Sequence, residues 1–216
     1  MKKILAVAAL FASMAVANAQ QFGVIGGMTS SRLDTSEEVN AKNMTLYHAG
    51  VVYKADLGAG FALQPMLTYQ VKGADMEREF SDINKVVKSK TGFAELSLGL
   101  QWGIDLLAFR PFVFAEPFVG YMLTGNESFS LAGSSVSIDS IDNAINDAKN
   151  KLEYGFGLGA GLEITSHIQL SCQVFQNLGK LYDQGQFDTG ALEGIKPSYE
   201  KIKNYQGIKF SLAILF

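Results

Sequence analysis

The sequence predicts an all-β fold: an eight-stranded antiparallel up-and-down barrel that crosses a membrane. Three observations carry that expectation. Apolar and polar residues alternate with a period of two over eight segments. The connections between those segments run long and short in turn. After the first nineteen residues no run of eighteen or so uncharged apolar residues remains, so any crossing must be made by strands.

The chain opens with Lys2 and Lys3, an apolar run from Ile4 to Val16 and the small triplet Ala17-Asn18-Ala19. This is the pattern of a secretory signal peptide over residues 1–19, cut after Ala19 and leaving a single barrel domain over 20–216. No Cys follows the expected cut, which argues against a lipid anchor. Loss of the two lysines takes the formal net charge from −3 to about −5, and nothing in that balance suggests nucleic acid. Cys172 is the single cysteine, so an intrachain disulfide scaffold is excluded. With 22 Gly, 15 Phe and 8 Tyr against 4 Pro, the composition favours many strands over many helices.

The first strand is expected over Gln21–Ser30, with Phe22, Val24 and Met28 on one side. The second, Thr45–Lys54, sets Tyr47, Ala49, Val51 and Tyr53 against His48, Gly50 and Lys54. In the third, Gly60–Lys72, Phe61, Leu63, Pro65, Leu67, Tyr69 and Val71 oppose Ala62, Gln64, Met66, Thr68, Gln70 and Lys72. The fourth, Thr91–Gly103, alternates most cleanly: Ala94, Leu96, Leu98, Leu100 and Trp102 against Glu95, Ser97, Gly99 and Gln101. Arg110–Leu123 is apolar on both parities, with Val113, Ala115, Val119, Tyr121 and Leu123 facing away from Phe112, Phe114, Glu116, Phe118 and Gly120. Leu152–Ile164 opposes its large residues to Glu153, Gly155, Gly157, Gly159, Gly161 and Glu163. Ile168–Asn177 and Tyr205–Phe216 complete the set, the last with Lys209 on its polar parity.

Short connections are expected at Ala55–Gly58, Ile104–Phe109 and Thr165–His167, and long polar loops at Ser31–Met44, Gly73–Lys90, Thr124–Lys151 and Leu178–Asn204. That alternation puts all tight turns at one rim, the periplasmic one in outer-membrane barrels, and all large loops outside. A soluble, lipocalin-like cup with the apolar parity turned inward is the competing fold. Two features favour the membrane: four glycines on one face of one strand suit a crowded interior, and the opposite faces end in Tyr47, Tyr53, Tyr69, Trp102, Tyr121, Tyr154 and Phe216, as interfacial girdles do.

Phe61-Ala-Leu-Gln-Pro-Met-Leu-Thr-Tyr69, followed by Lys72-Gly73, resembles a strand motif of the PorT-like outer-membrane β-barrel family of Bacteroidetes. Arg110–Leu123, the glycine strand Tyr154–Leu162 and the closing Phe210–Phe216 are similar to further strands of that family. The resemblance spans the mature chain and implies an outer-membrane barrel. It also implies a link to protein secretion, but no particular chemistry. Two positions depart from the pattern: Met66 stands where a Glu is usual, and Glu116 where a Gly is usual.

The candidate site is a lumen charge network: Lys54, Lys72, Glu95, Glu116, Glu153, Glu163 and Lys209, with Arg110 as a further candidate. A small barrel has room inside only for side chains, and charges there must pair. An ion-paired plug is therefore the first expectation and a solute pore the second. Catalysis is not expected: His48 and His167 are the only histidines, His167 falls in an expected periplasmic turn, and His48 has no evident Ser or acid at a motif spacing. Within the third long loop, Ile138, Ile141, Ala144, Ile145 and Ala148 fall at helical spacing, with Asp139, Asp142, Asn143 and Asn146 on the other face. No cofactor is expected. The partners expected are outer-membrane lipid and a protein met by the outer loops, a secretion component being one alternative.

Overall fold

The structure, a computed structural model, describes residues 20–35, 40–80, 83–131, 134–135, 151–179 and 202–216. Among these described residues the strands are β1 (Gln20–Thr35), β2 (Asn40–Gly58), β3 (Phe61–Phe80), β4 (Ile83–Gly103), β5 (Phe109–Leu131), β6 (Ser134–Ser135), β7 (Leu152–Ile164), β8 (Ile168–Asn177) and β9 (Ile202–Leu215). All pairings are antiparallel. The ladder runs β4-β3-β2-β1-β9-β8-β7-β5, and a further β4–β5 pairing closes it into an eight-stranded barrel, with β6 attached only to the tip of β5. Closure removes both sheet edges, which is what lets strands sit in hydrocarbon.

Parity sorts the side chains as the alternation predicts. Leu67, Leu96, Leu98, Leu100, Val113, Val119, Leu158, Val174, Phe210 and Leu212 are exposed on the outer wall, while Lys54, Lys72, Glu95, Glu116, Glu153, Glu163 and Lys209 are buried inside. The outer wall ends in two aromatic belts. Tyr47, Tyr69, Tyr121 and Tyr154 mark one rim, with Tyr47 and Tyr69 6.4 Å apart between ring centres. Phe22, Phe61, Trp102 and Phe216 mark the other, Phe61 standing opposite Trp102 in the ladder. Along β3 the belts are eight residues apart, which at ~3.3 Å per residue and ~40° tilt is about 20 Å, near the height of a bilayer's apolar band.

The tight turns are built for the twist of a hairpin. Gly58, Ala59 and Gly60 have φ of 86°, 52° and 80°, and Thr165 and Ser166 have 53° and 59°, so both central positions of each turn carry the positive φ that a type I′ turn needs. The first of these turns is therefore at Ala59–Gly60, not at Ala55–Gly58, which belongs to β2. The long connections also differ from their reading as polar loops. β1 continues to Thr35, β2 starts at Asn40, β3 and β4 stay paired out to Phe80 and Ile83, and β5 runs to Leu131. Charge made these stretches look like loops, but outside the membrane a strand needs no lipid-facing apolar parity. The helical spacing over Ile138–Ala148 lies outside the described residues.

β5 and β7 show how a barrel this narrow is filled. In their ladder Phe112 stands opposite Gly161, Phe114 opposite Gly159, Glu116 opposite Gly157 and Phe118 opposite Gly155. One step on, the sizes reverse, with Gly120 opposite Glu153. Large inward side chains on one strand thus lie over bare backbone on the next. A methyl added to Gly155 would overlap the Gln176 carbonyl oxygen and the Phe118 ring, whereas at Gly157 its three nearest neighbours are all atoms of the flexible Gln173 side chain. Gly155→Ala is accordingly expected to cost roughly 1–3 kcal/mol and Gly157→Ala well under that. Denaturant unfolding in detergent checks the difference, and equal costs would contradict the packing described.

Candidate functional site

The lumen holds two groups of charges, each assembled from several strands. Nearer the outer rim, Lys72 on β3 donates to Glu95 Oε2 at 3.0 Å, Glu153 Oε1 at 2.8 Å and Asn177 Oδ1 at 3.3 Å. Its ammonium also lies 4.4 Å from the centre of the Phe118 ring and 5.1 Å from that of Phe175. Lys209 on β9 reaches Glu116 Oε1 at 3.1 Å and Glu95 Oε1 at 3.4 Å, so Glu95 bridges the two lysines with its two oxygens. The second oxygen of Glu153 accepts from Asn177 Nδ2 at 2.5 Å.

At the tight-turn end, Lys54 meets Glu163 at 2.9 Å and the half-exposed Asp56 at 3.1 Å. Arg110 lies 3.5 Å from Glu163 and 3.4 Å from the exposed Asp105, and it donates to the Gly60 carbonyl at 2.8 Å. Glu163 accepts a further bond from Gln169 Nε2 at 2.8 Å, and Gln169 in turn accepts from Gln64 at 3.0 Å. Gln101 donates to Gln64 and accepts from Arg110. Every residue of the sequence-read charge set therefore lies in the lumen, Arg110 included, but in two groups rather than one.

Among the buried residues of this network, four cations (Lys54, Lys72, Lys209, Arg110) face four carboxylates (Glu95, Glu116, Glu153, Glu163). Moving such groups out of water is costly, and the cost is offset only where each has good partners. Here each has them, so the arrangement can hold strands together across the barrel axis. Lys72 to Glu153 ties β3 to β7, and Lys54 to Glu163 ties β2 to β7, pairs that are not neighbours in the sheet.

His48 is buried. Thr29 Oγ1 lies 2.9 Å from its Nδ1 and Ser211 Oγ 3.0 Å from its Nε2. A histidine beside a serine is the start of a nucleophilic pair, and Ser211, 163 positions away in the chain, could not have been found from spacing. The pair lines a lumen cavity of about 30 Å³, too small for any lipid or peptide. His167 is exposed in the β7–β8 turn against the Thr165 carbonyl at 2.5 Å. Met66 is buried with Val52, Ala213 and Leu215 as a small apolar cluster. Sequence reasoning did not single out Phe93, Phe175 and Tyr205, all buried inside, although each shares the parity of an inward polar residue, Glu95, Gln173 and Lys209 respectively. Among the described residues no group of three His, Cys, Asp or Glu is placed to hold a metal ion, and no helix is long and apolar enough to cross a membrane.

Comparison with known proteins adds the following. No curated protein matches the chain. Among solved structures, the chain is similar to Neisserial surface protein A, at 12% identity over 90% of this chain and 97% of that one, with a TM-score of 0.42. It is similar to Ail, the attachment invasion locus protein of Yersinia pestis, at 12% identity over 91% and 98%, with a TM-score of 0.41. It is also similar to the outer membrane protein OprG of Pseudomonas aeruginosa, at 11% identity over 91% and 95%, with a TM-score of 0.40. No role is carried over from them. The family model of the outer membrane protein beta-barrel domain matches residues 13–183, most of the chain. By that match, and by a closed barrel whose outer wall is apolar between two aromatic belts, the chain belongs to the outer membrane protein beta-barrel domain family and is a protein of the outer membrane.

Proposed function

We propose that this protein is a non-enzymatic surface-interaction barrel, exported by the signal peptide of residues 1–19. Its lumen network of Lys54, Lys72, Glu95, Glu116, Glu153, Glu163 and Lys209 acts as a structural plug, and its partner contacts lie on the strands that pass the outer rim. The observation that carries this reading is the reach of β3 and β4, paired without a register break from Phe61 and Trp102 to Phe80 and Ile83. On these extensions Ala41, Met76, Val87 and Phe129 share one cross-strand row, and Lys42, Asp75, Lys88 and Ser128 the next. A paired sheet carried this far past the outer aromatic belt suits recognition better than mere strand connection.

Photo-cross-linkers placed at 77 and 86 on living cells test this: an adduct of defined mass at either position is expected, and none at either would overturn it. The likeness of Phe61–Lys72 and Arg110–Leu123 to PorT-like strands favours one kind of partner, a component of a protein-secretion complex, and the mass of the adduct decides that point. The solute-channel alternative is met by a separate expectation. Reconstituted in a planar bilayer, the barrel should show no steady single-channel openings, and regular openings would overturn the plug.

A further inference from the structure

Between the two charge groups the lumen contains a cavity of about 30 Å³, lined among others by His48, Gln70, Glu116, Gln173, Lys209 and Ser211. Two amides project into it unanswered by the protein. Gln70 is 1% exposed and neither polar atom of its side chain has a hydrogen-bonding partner; Gln173 is 4% exposed and its Nε2 has none. A buried amide without partners is strongly disfavoured, and three such atoms around one cavity point to an occupant that both donates and accepts.

Size and charge narrow the occupant. At ~10–15 Å³ of such volume per molecule, the cavity accommodates two waters and nothing much larger. The outer group holds Glu95, Glu116 and Glu153 against Lys72 and Lys209, one negative charge in excess. The inner group holds Lys54 and Arg110 against Glu163, Asp56 and Asp105, likewise one negative charge in excess. A cation is still a poor occupant: it cannot accept from the two unanswered Nε2 groups, and the Lys209 ammonium lines the same cavity. A neutral molecule that both donates and accepts answers all three atoms.

We propose that this cavity is a binding site for a pair of water molecules, which bridge Gln70 and Gln173 between the two charge groups. The proposal deepens the plug reading: the lumen is closed by two ion-paired layers with a wet layer between them.

Crystals of the refolded barrel grown in rubidium chloride test it. Two peaks without anomalous signal, each within hydrogen-bond reach of Gln70 or Gln173, are expected. An empty cavity, or an anomalous peak marking a cation, would overturn it. Unfolding gives a second measurement. With water present, Gln70→Met and Gln173→Met each leave the other amide short of its bridge and lower Tm on the order of 3 °C, and the double variant recovers most of that loss. In a dry cavity each single substitution removes an unsatisfied amide, so a Tm unchanged or raised in both single variants sinks the proposal. Channel openings from the wild-type barrel would end the plug reading and leave the water peaks to decide this one.

Discussion

Lys72→Met is expected to lower the stability of the folded barrel by about 3–5 kcal/mol, the usual consequence of removing one partner from a buried ion pair. Met preserves most of the volume, so little of the loss comes from a cavity. What remains is electrostatic: among the described residues Glu153 keeps Asn177 as its polar contact, and Glu95 keeps Lys209, at 3.4 Å. The ammonium also leaves the faces of Phe118 and Phe175, which cannot serve a carboxylate in its place. Urea unfolding in detergent, followed by the mobility difference between folded and unfolded barrel on a gel, measures the loss. Adding Glu153→Gln to Lys72→Met should recover part of it by removing the stranded charge, a sign that lost packing alone would not produce. A cost below ~1 kcal/mol for Lys72→Met would mean that the ammonium is solvated, and the plug would lose its central member.

The same cluster shows where sequence stops informing. That Lys72, Glu95 and Glu153 face inward follows from parity alone, since a charge cannot sit on a lipid-facing wall and each falls opposite a row of apolar residues. Which carboxylate meets which lysine does not follow, because Lys72 and Glu153 are 81 positions apart and meet across the axis, not along a ladder. The glycines of β7 were legible as a crowded face, but their counterparts were not. Phe112 and Phe118 sit on a strand apolar on both sides, and only the β5–β7 register shows that each covers a bare backbone. The extensions of β2 to β5 were misread because alternation was sought in its membrane form. Past the rim the solvent changes and no lipid-facing parity has to be apolar, so Asp75–Phe80 and Ile83–Lys90 look like loop while pairing as strand.

Leu158→Arg carries the second large effect, and it discriminates between a wall in lipid and a wall in water. Leu158 and Tyr154 share the outer face of β7 and are 53% and 50% exposed, so in a soluble barrel arginine at either position would cost little, within ~0.5 kcal/mol. In a bilayer depth separates them. Leu158 stands mid-strand opposite Ala115 and Val174, and an arginine there should cost roughly 2–4 kcal/mol. Tyr154 lies in the outer aromatic belt, where the guanidinium reaches the interface and the cost falls to about 0–1 kcal/mol. The comparison needs the barrel folded into phospholipid, because a detergent micelle blurs depth. If the two substitutions cost the same in lipid, the apolar wall between the belts is not the membrane-facing surface, and both the orientation of every strand and the burial of the charge network would have to be reassigned.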